Sequence, residues 1–180
     1  LIMKKKNNNF GIVQGRLTQS TQLQKFPKNW KNEFALIKKT NLGFIELLDE
    51  RKINHLNPLT YKDGFKIIEK TIKKYKIKKY SICTDYIINN NLFSKKNKRT
   101  LKHVERLINL SIKHKYKIFI LPLLEASEIN KNNWDLAVKI LRDISGKIKN
   151  SNIILCLETI LSANDLIRLL KKINKKNIKC

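Results

Sequence analysis

Apolar residues alternate between two spacings along this chain. Short, nearly continuous apolar runs stand in FGIVQGRL, GFIELLDE, KKYSICTDY, KIFILPLLEAS and IILCLET. Between them, apolar residues recur at helical spacing: Trp30, Phe34 and Ile37; Phe65, Ile68, Ile72 and Tyr75; then Leu101, Val104, Leu107 and Ile112. The first spacing reads as buried strand and the second as amphipathic helix. A strand is predicted over 10–17, breaking at Gln14, Gly15 and Arg16, and a helix in NWKNEFALIKKTN with Asn29 at its start. A second strand spans 43–50, with Phe44, Glu46 and Leu48 on one face, and a loop with Pro58 leads to the second helix. Further strands are predicted over 78–86, ending in Asp85 and Tyr86, over 117–127, and over 153–159. Helices are predicted over 99–115, 134–148 and 165–174, the last opened by Ser162 with Asp165 as a capping box. NIKC, 177–180, reads as the start of a sixth strand.

Apolar strands alternating with amphipathic helices imply a parallel sheet with right-handed crossovers. Such a sheet is either an open doubly wound α/β sheet or a (β/α)8 barrel. No GxGxxG or P-loop follows the first strand, which weakens the nucleotide-binding open sheet. Polar or acidic residues near almost every strand end favour a barrel, whose active face collects a contribution from each strand. A whole barrel takes about 250 residues. The expected fold is therefore an incomplete (β/α)8 TIM barrel of about five βα units plus the start of strand 6. Its expected organisation is a disordered basic leader over 1–9 and the N-terminal portion of a barrel over 10–180.

Composition alters this picture little. With 180 residues, 42% hydrophobic and 29% charged, the chain is one globular domain with a real core. The formal net charge of +25 raises the question of a nucleic-acid surface. The charge is almost all Lys, is spread over every segment, and accompanies abundant Asn and Ile, as an A/T-rich coding bias produces. Arg, suited to bidentate phosphate and base contacts, is scarce. The charge is read as solubility, and nucleic acid is not an expected partner. No stretch is apolar and long enough to span a bilayer, so no membrane partner is expected. Cys83, Cys156 and Cys180 show no CxxC spacing and fit a reducing, cytoplasmic protein.

Candidate chemistry lies at the strand ends. Four apolar residues lead to Glu158, and a helix start follows. An unpaired buried carboxylate costs several kcal/mol, so Glu158 needs a metal, base or donor, unless it stands in solvent as a helix-start acid. Gln14 and Arg16 are candidates for holding substrate hydroxyls or phosphate, against a solvent turn. Glu46 is expected to point into the barrel, as a substrate contact or a structural salt-bridge partner. Asp85 is a substrate-contact candidate, against a helix cap. Glu125 is placed in a loop beyond the rim. His55 falls in a loop on the active face, and His103 and His114 are expected to face solvent. No HExxH, Cys/His cluster or Ser-His-Asp arrangement is present.

Taken in order, GIVQGRL, GFIELLDE, the loop with NPL, SICTDY, IFILPLLEAS and CLET resemble sugar phosphate isomerases and epimerases of the xylose-isomerase-like barrel family, close to the hexulose-phosphate isomerases. The resemblance runs from Phe10 to Cys180. It implies proton transfer next to a sugar carbonyl, assisted by a divalent ion (Zn, Mn or Mg) and by paired carboxylates. It matches Glu158 to the glutamate ending the fifth strand, both metal ligand and acid/base carboxylate. The family's other ligands are an Asp after the sixth strand, a His on the seventh and a Glu on the eighth, all past NIKC. The chain is therefore expected to be a fragment, inactive alone, that does not hold the ion stably. The implied partner is a small sugar phosphate, and open edges at FGIVQGRL and NIKC invite self-association. Two alternatives are a non-catalytic or degenerate barrel serving binding or assembly, and an apurinic-endonuclease-like DNA repair barrel. The latter brings several histidines to the strand ends, where this chain has Glu46 and Asp85.

Overall fold

A computed structural model describes residues 10–18, 25–40 and 42–180. The expected leader over 1–9 lies outside the described residues. The elements run β1 (Gly11–Val13), α1 (Trp30–Thr40), β2 (Phe44–Asp49), α2 (Gly64–Tyr75), β3 (Ser81–Thr84), α3 (Tyr86–Asn89), α4 (Lys98–Lys113), β4 (Ile118–Leu123), α5 (Trp134–Lys147), β5 (Ile154–Thr159), α6 (Ala163–Ile173) and β6 (Ile178–Lys179). All neighbouring strands pair in parallel, in the order β1-β2-β3-β4-β5-β6. This is the incomplete barrel expected from the apolar pattern. The sheet is open, with β1 and β6 at its edges.

Register divides the side chains into two faces. Ile45 and Leu47 of β2, Ile82 of β3, Phe119 and Leu121 of β4, and Leu155 and Leu157 of β5 turn toward the helices and are buried. They meet Phe34 and Ile37 of α1, Phe65 and Ile68 of α2, Leu107 and Ile108 of α4, and Leu141 and Ile144 of α5 in one continuous core. The other face is concave and carries Glu46, Ser81, Cys83, Ile118, Ile120, Ile154, Cys156 and Glu158. Pro122, paired with Glu158, is the next-to-last residue of β4.

Several boundaries differ from expectation for local reasons. β1 stops at Val13 because a carboxylate captures the chain beyond it: Glu33 of α1 accepts from the Gly15 N–H at 2.9 Å, the Leu17 N–H at 3.2 Å and the Thr18 hydroxyl at 3.3 Å. Gly15 sits at φ +91°, where a side chain is strained, and a Cβ there would stand 2.8 Å from the Lys25 carbonyl. β3 stops at Thr84 because Tyr86–Asn89 turns at once into the short α3, unforeseen in the Asn-rich segment. At α6 the expected capping box forms in part. Ser162 accepts from the Asp165 N–H at 3.2 Å, and its hydroxyl donates to the Asp165 carboxylate at 2.9 Å.

Candidate functional site

The strand C-termini and the loops after them form a mouth around the concave face. Glu158 is the next-to-last residue of β5, in register with Pro122, and its side chain is exposed on that face. It is neither a buried orphan nor a helix-start acid: it lies within the sheet, and α6 begins only at Ala163. Glu46 stands lower on β2, opposite Val13, and accepts from the Ser81 hydroxyl at 2.7 Å. Burial pushes the Glu46 carboxyl above its usual range; the Ser81 bond opposes this, and the negative charges of Glu158 and Asp85 add to it.

Asp85 follows β3 immediately. It is buried, and its side chain caps no helix. Instead the Cys83 thiol donates to its Oδ1 at 3.5 Å. Burial raises the Asp85 carboxyl, the Cys83 bond and the Arg51 guanidinium pull it down, and Glu158 and Asp49 push it up again. The Cys83 thiol is pushed well above its ordinary value, first by burial and then by Asp85 and Glu46. Cys83 is thus held as a neutral thiol and is no nucleophile. Glu46, Asp85 and Glu158 therefore share one electrostatic neighbourhood at the open face, three strands contributing one carboxylate each.

The first strand's candidates separate. Arg16 is exposed on the turn that Glu33 holds. Gln14 is only 2% exposed, packed beneath that turn, where its Oε1 accepts weakly from the Leu48 N–H at 3.4 Å. Its Nε2 is buried and has no partner among the described residues. Glu125 lies in the loop after β4 as expected, yet it is not idle: Arg51 donates to both its oxygens, at 2.8 and 3.0 Å, tying the β2 loop to the β4 loop across the mouth. His55 is exposed in the loop after β2.

The other two histidines correct the sequence reading. His103 of α4 is half-buried against the helix side of the sheet, its Nε2 2.9 Å from Asp49 Oδ2 and its ring 4.1 Å from that of Tyr86. The Thr84 hydroxyl donates to the same oxygen at 2.6 Å. His114 stacks on Phe65 and contacts Glu69 at 3.0 Å. The apolar stripe of α4 leaves both rings on its solvent side, whereas Asp49 and Glu69 on other elements draw them inward. Glu33 and Glu50 were also missed. Glu33 carries a legible signal, since position 33 lies on the same helical stripe as Trp30, Phe34 and Ile37. A charge there must be buried and must find donors. Glu50 accepts from the Phe26 N–H at 2.9 Å and from the Asn57 amide, and Asn57 in turn donates to the Leu48 carbonyl at 2.8 Å.

The carboxylates do not make a metal centre by themselves. Among the described residues, no group of three or more His, Cys, Asp or Glu side chains converges to hold an ion. The donors this chain supplies therefore do not fit a resident divalent metal, which takes three or more protein ligands.

No family model matches the sequence, and no curated protein matches it. Solved structures do. A xylose isomerase-like TIM barrel protein from Mycobacterium smegmatis in complex with magnesium superposes with a TM-score of 0.69 at 12% identity, covering 94% of this chain and 62% of that one. D-psicose 3-epimerase in the presence of D-fructose gives 0.71 at 16% identity, covering 94% and 61%. AP endonuclease, family 2, from Brucella melitensis gives 0.63 at 12% identity, covering 94% and 66%. At these identities the likeness establishes the fold. The class is a parallel βα barrel, present here as six strands of an incomplete (β/α)8 barrel. More particularly, its architecture is that of the xylose isomerase-like TIM barrels, which sugar epimerases share. The chain spans somewhat over 60% of the length of the first two of these structures.

Proposed function

We propose that this chain is the N-terminal portion of a sugar or sugar phosphate isomerase or epimerase, contributing one side of a site that its own residues do not complete. The observation that carries this reading is the position of Glu158: a carboxylate at the C-terminal end of β5, exposed on the concave face, within electrostatic reach of Glu46 and Asp85. An exposed strand-end carboxylate is free to take a proton from a carbon next to a carbonyl, given a substrate held within hydrogen-bond reach. In this reading Glu158 is the proton-transfer group. Glu46 and Asp85, raised by burial, protonate more readily than ordinary carboxyls and contact sugar hydroxyls. Arg16, exposed at the mouth, supplies the charge suited to a phosphate. The divalent ion of the family is not assigned to this chain, and no step is drawn through it.

The DNA-repair reading is less well supported, despite a shared fold. None of the three histidines stands on the concave face: His55 lies in a loop, and His103 and His114 pack against Asp49 and Glu69. Among the described residues nothing pairs with the outer sides of β1 and β6, and we propose that the isolated chain self-associates there.

The test has two parts. The 180-residue chain, supplied with Mg, Mn or Zn, is expected to exchange no solvent deuterium into ketoses or ketose phosphates, and robust metal-dependent exchange would overturn the incomplete-site reading. The coding sequence past Cys180 is then read and the longest in-frame product assayed in the same way. Exchange that Glu158→Gln abolishes supports the proposal. A product that binds no sugar and exchanges nothing rejects it in favour of a non-catalytic barrel.

A further inference from the structure

Lysines stand at both ends of the sheet, but the acids that could balance them do not. In a βα barrel every helix-to-strand connection returns to the same end, opposite the mouth. All five such connections lack Asp and Glu: they read NLG, KIKKY, HKYK, IKNSNI and NKKN. The strand-to-helix side, in contrast, carries Glu50, Asp63, Asp85, Glu125 and Glu128 among its basic residues. Folding therefore sorts a diffuse charge into an acid-containing mouth and a lysine-covered floor.

Helix macrodipoles account for part of this, since Lys38, Lys39, Lys73 and Lys74 sit in last turns where a cation is favoured. They do not account for Lys76, Lys78, Lys115, Lys117, Lys175 and Lys176, which lie beyond the helices, are exposed, and make no ion pair among the described residues. Two of them stand where the backbone prefers glycine: Lys76 at φ 54° and Lys115 at φ 58°.

We propose that this floor docks the phosphate backbone of nucleic acid without reading sequence. Lysine is a point charge on a flexible stem, suited to neutralising phosphates and poorly suited to bidentate base recognition. An anionic membrane fits less well. The exposed Ile53, Leu56, Tyr61 and Ile160 lie on the mouth side, leaving the floor with little apolar anchorage apart from Phe10 at the sheet edge and Ile154 on the concave face. This surface is separate from the carboxylate mouth and does not depend on the sugar reading.

The experiment is fluorescence anisotropy of the 180-residue chain with a labelled random-sequence duplex of about 20 base pairs, titrated between ~50 and ~200 mM salt. A floor variant, Lys76→Asn, Lys78→Gln, Lys115→Asn and Lys117→Gln, is compared with a mouth variant of equal charge change, Lys52→Gln, Lys62→Gln, Lys95→Gln and Lys131→Gln. Asn tolerates the left-handed positions, and circular dichroism confirms that both variants fold. The floor variant is expected to lose about tenfold or more in affinity and to reduce the log–log salt slope by about three units, while the mouth variant stays within about twofold. Equal losses in both variants would reduce the effect to net charge and overturn the proposal. So would absence of duplex binding, including the case where the chain binds phosphatidylserine vesicles instead.

Discussion

Along β4, Phe119, Leu121 and Leu123 on the helix side are wholly buried, whereas Ile118 and Ile120 on the concave side are half-buried. Along β5, Leu155 and Leu157 are buried while Ile154 and Glu158 are exposed. The same strands thus serve two environments. On the helix side the buried carboxylate of Asp49 is held by Thr84 and His103. On the concave side Glu158 stands in water and is carried at low cost, while the half-buried Glu46 bears a desolvation penalty that only the Ser81 hydroxyl offsets. Stability resides on one face and available chemistry on the other.

The largest effect that tests this contrast is a paired truncation on β4. Phe119→Ala is expected to cost about 3–5 kcal/mol, through lost burial and a cavity. Ile120→Ala, its neighbour on the other face, should cost about 1 kcal/mol, because its site is already partly hydrated. Urea unfolding of the two variants measures both, and equal costs would dissolve the distinction between the faces.

Next in size is the removal of buried acceptors. Glu33→Ala strands the Gly15 and Leu17 N–H groups and should cost about 1–3 kcal/mol, with hydrogen exchange at those amides rising more than elsewhere. Asp49→Asn, which weakens the contacts to Thr84 and His103, falls in the same range of about 1–3 kcal/mol. Exchange rates at Gly15 and Leu17 unaltered by the Glu33 substitution would show that the loop is held by something else.

Smaller still is the effect of Glu46→Gln, and its sign is opposite. The folded-state carboxyl is raised above its ordinary value of 4.5, so the folded chain binds that proton more tightly than the unfolded one. Stability from this group is present below the unfolded value and is lost as pH rises through the raised folded value. Replacing Glu46 by Gln should therefore stabilise the protein at neutral pH and leave it nearly unchanged near pH 4. Chemical denaturation at the two pH values measures this, and a loss of stability at neutral pH would mean that the ionised form is held favourably. Smallest of all, Ile154→Thr on the concave face should change stability by under about 0.5 kcal/mol, since 38% of the residue is already in solvent.

Much of the architecture was legible because two periodicities carry it. GFIELLDE and IILCLET fall within a residue or two of β2 and β5, KIFILPLLEAS overruns β4 by the turn at Glu125–Ser127, and the stripes Phe65–Ile68–Ile72 and Val104–Leu107 form the inner faces of α2 and α4. Alternation also put Phe44, Glu46 and Leu48 on one face, and the register agrees. The failures share a cause. The end of the strand predicted over 10–17 turns away because Glu33, a stripe position of another element, takes the Gly15 and Leu17 N–H groups. His103 and His114 read as solvent-facing until Asp49 and Glu69 meet them. Each depends on a partner far away in the chain, which no local pattern encodes.

The sequence by itself determined the succession of strands and helices, the faces those strands present, and Glu158 as the acid at the end of the fifth strand. Local spacing suffices for that, since burying an apolar stripe permits few arrangements. Only the tertiary structure decided which charges are neighbours. It brought the carboxyls of Glu46, Asp85 and Glu158 into one field and sank His103 against Asp49. It also left lysines without Asp or Glu in the connections at one end and placed acids among the lysines at the other, because every βα repeat turns back at the same two ends of the barrel.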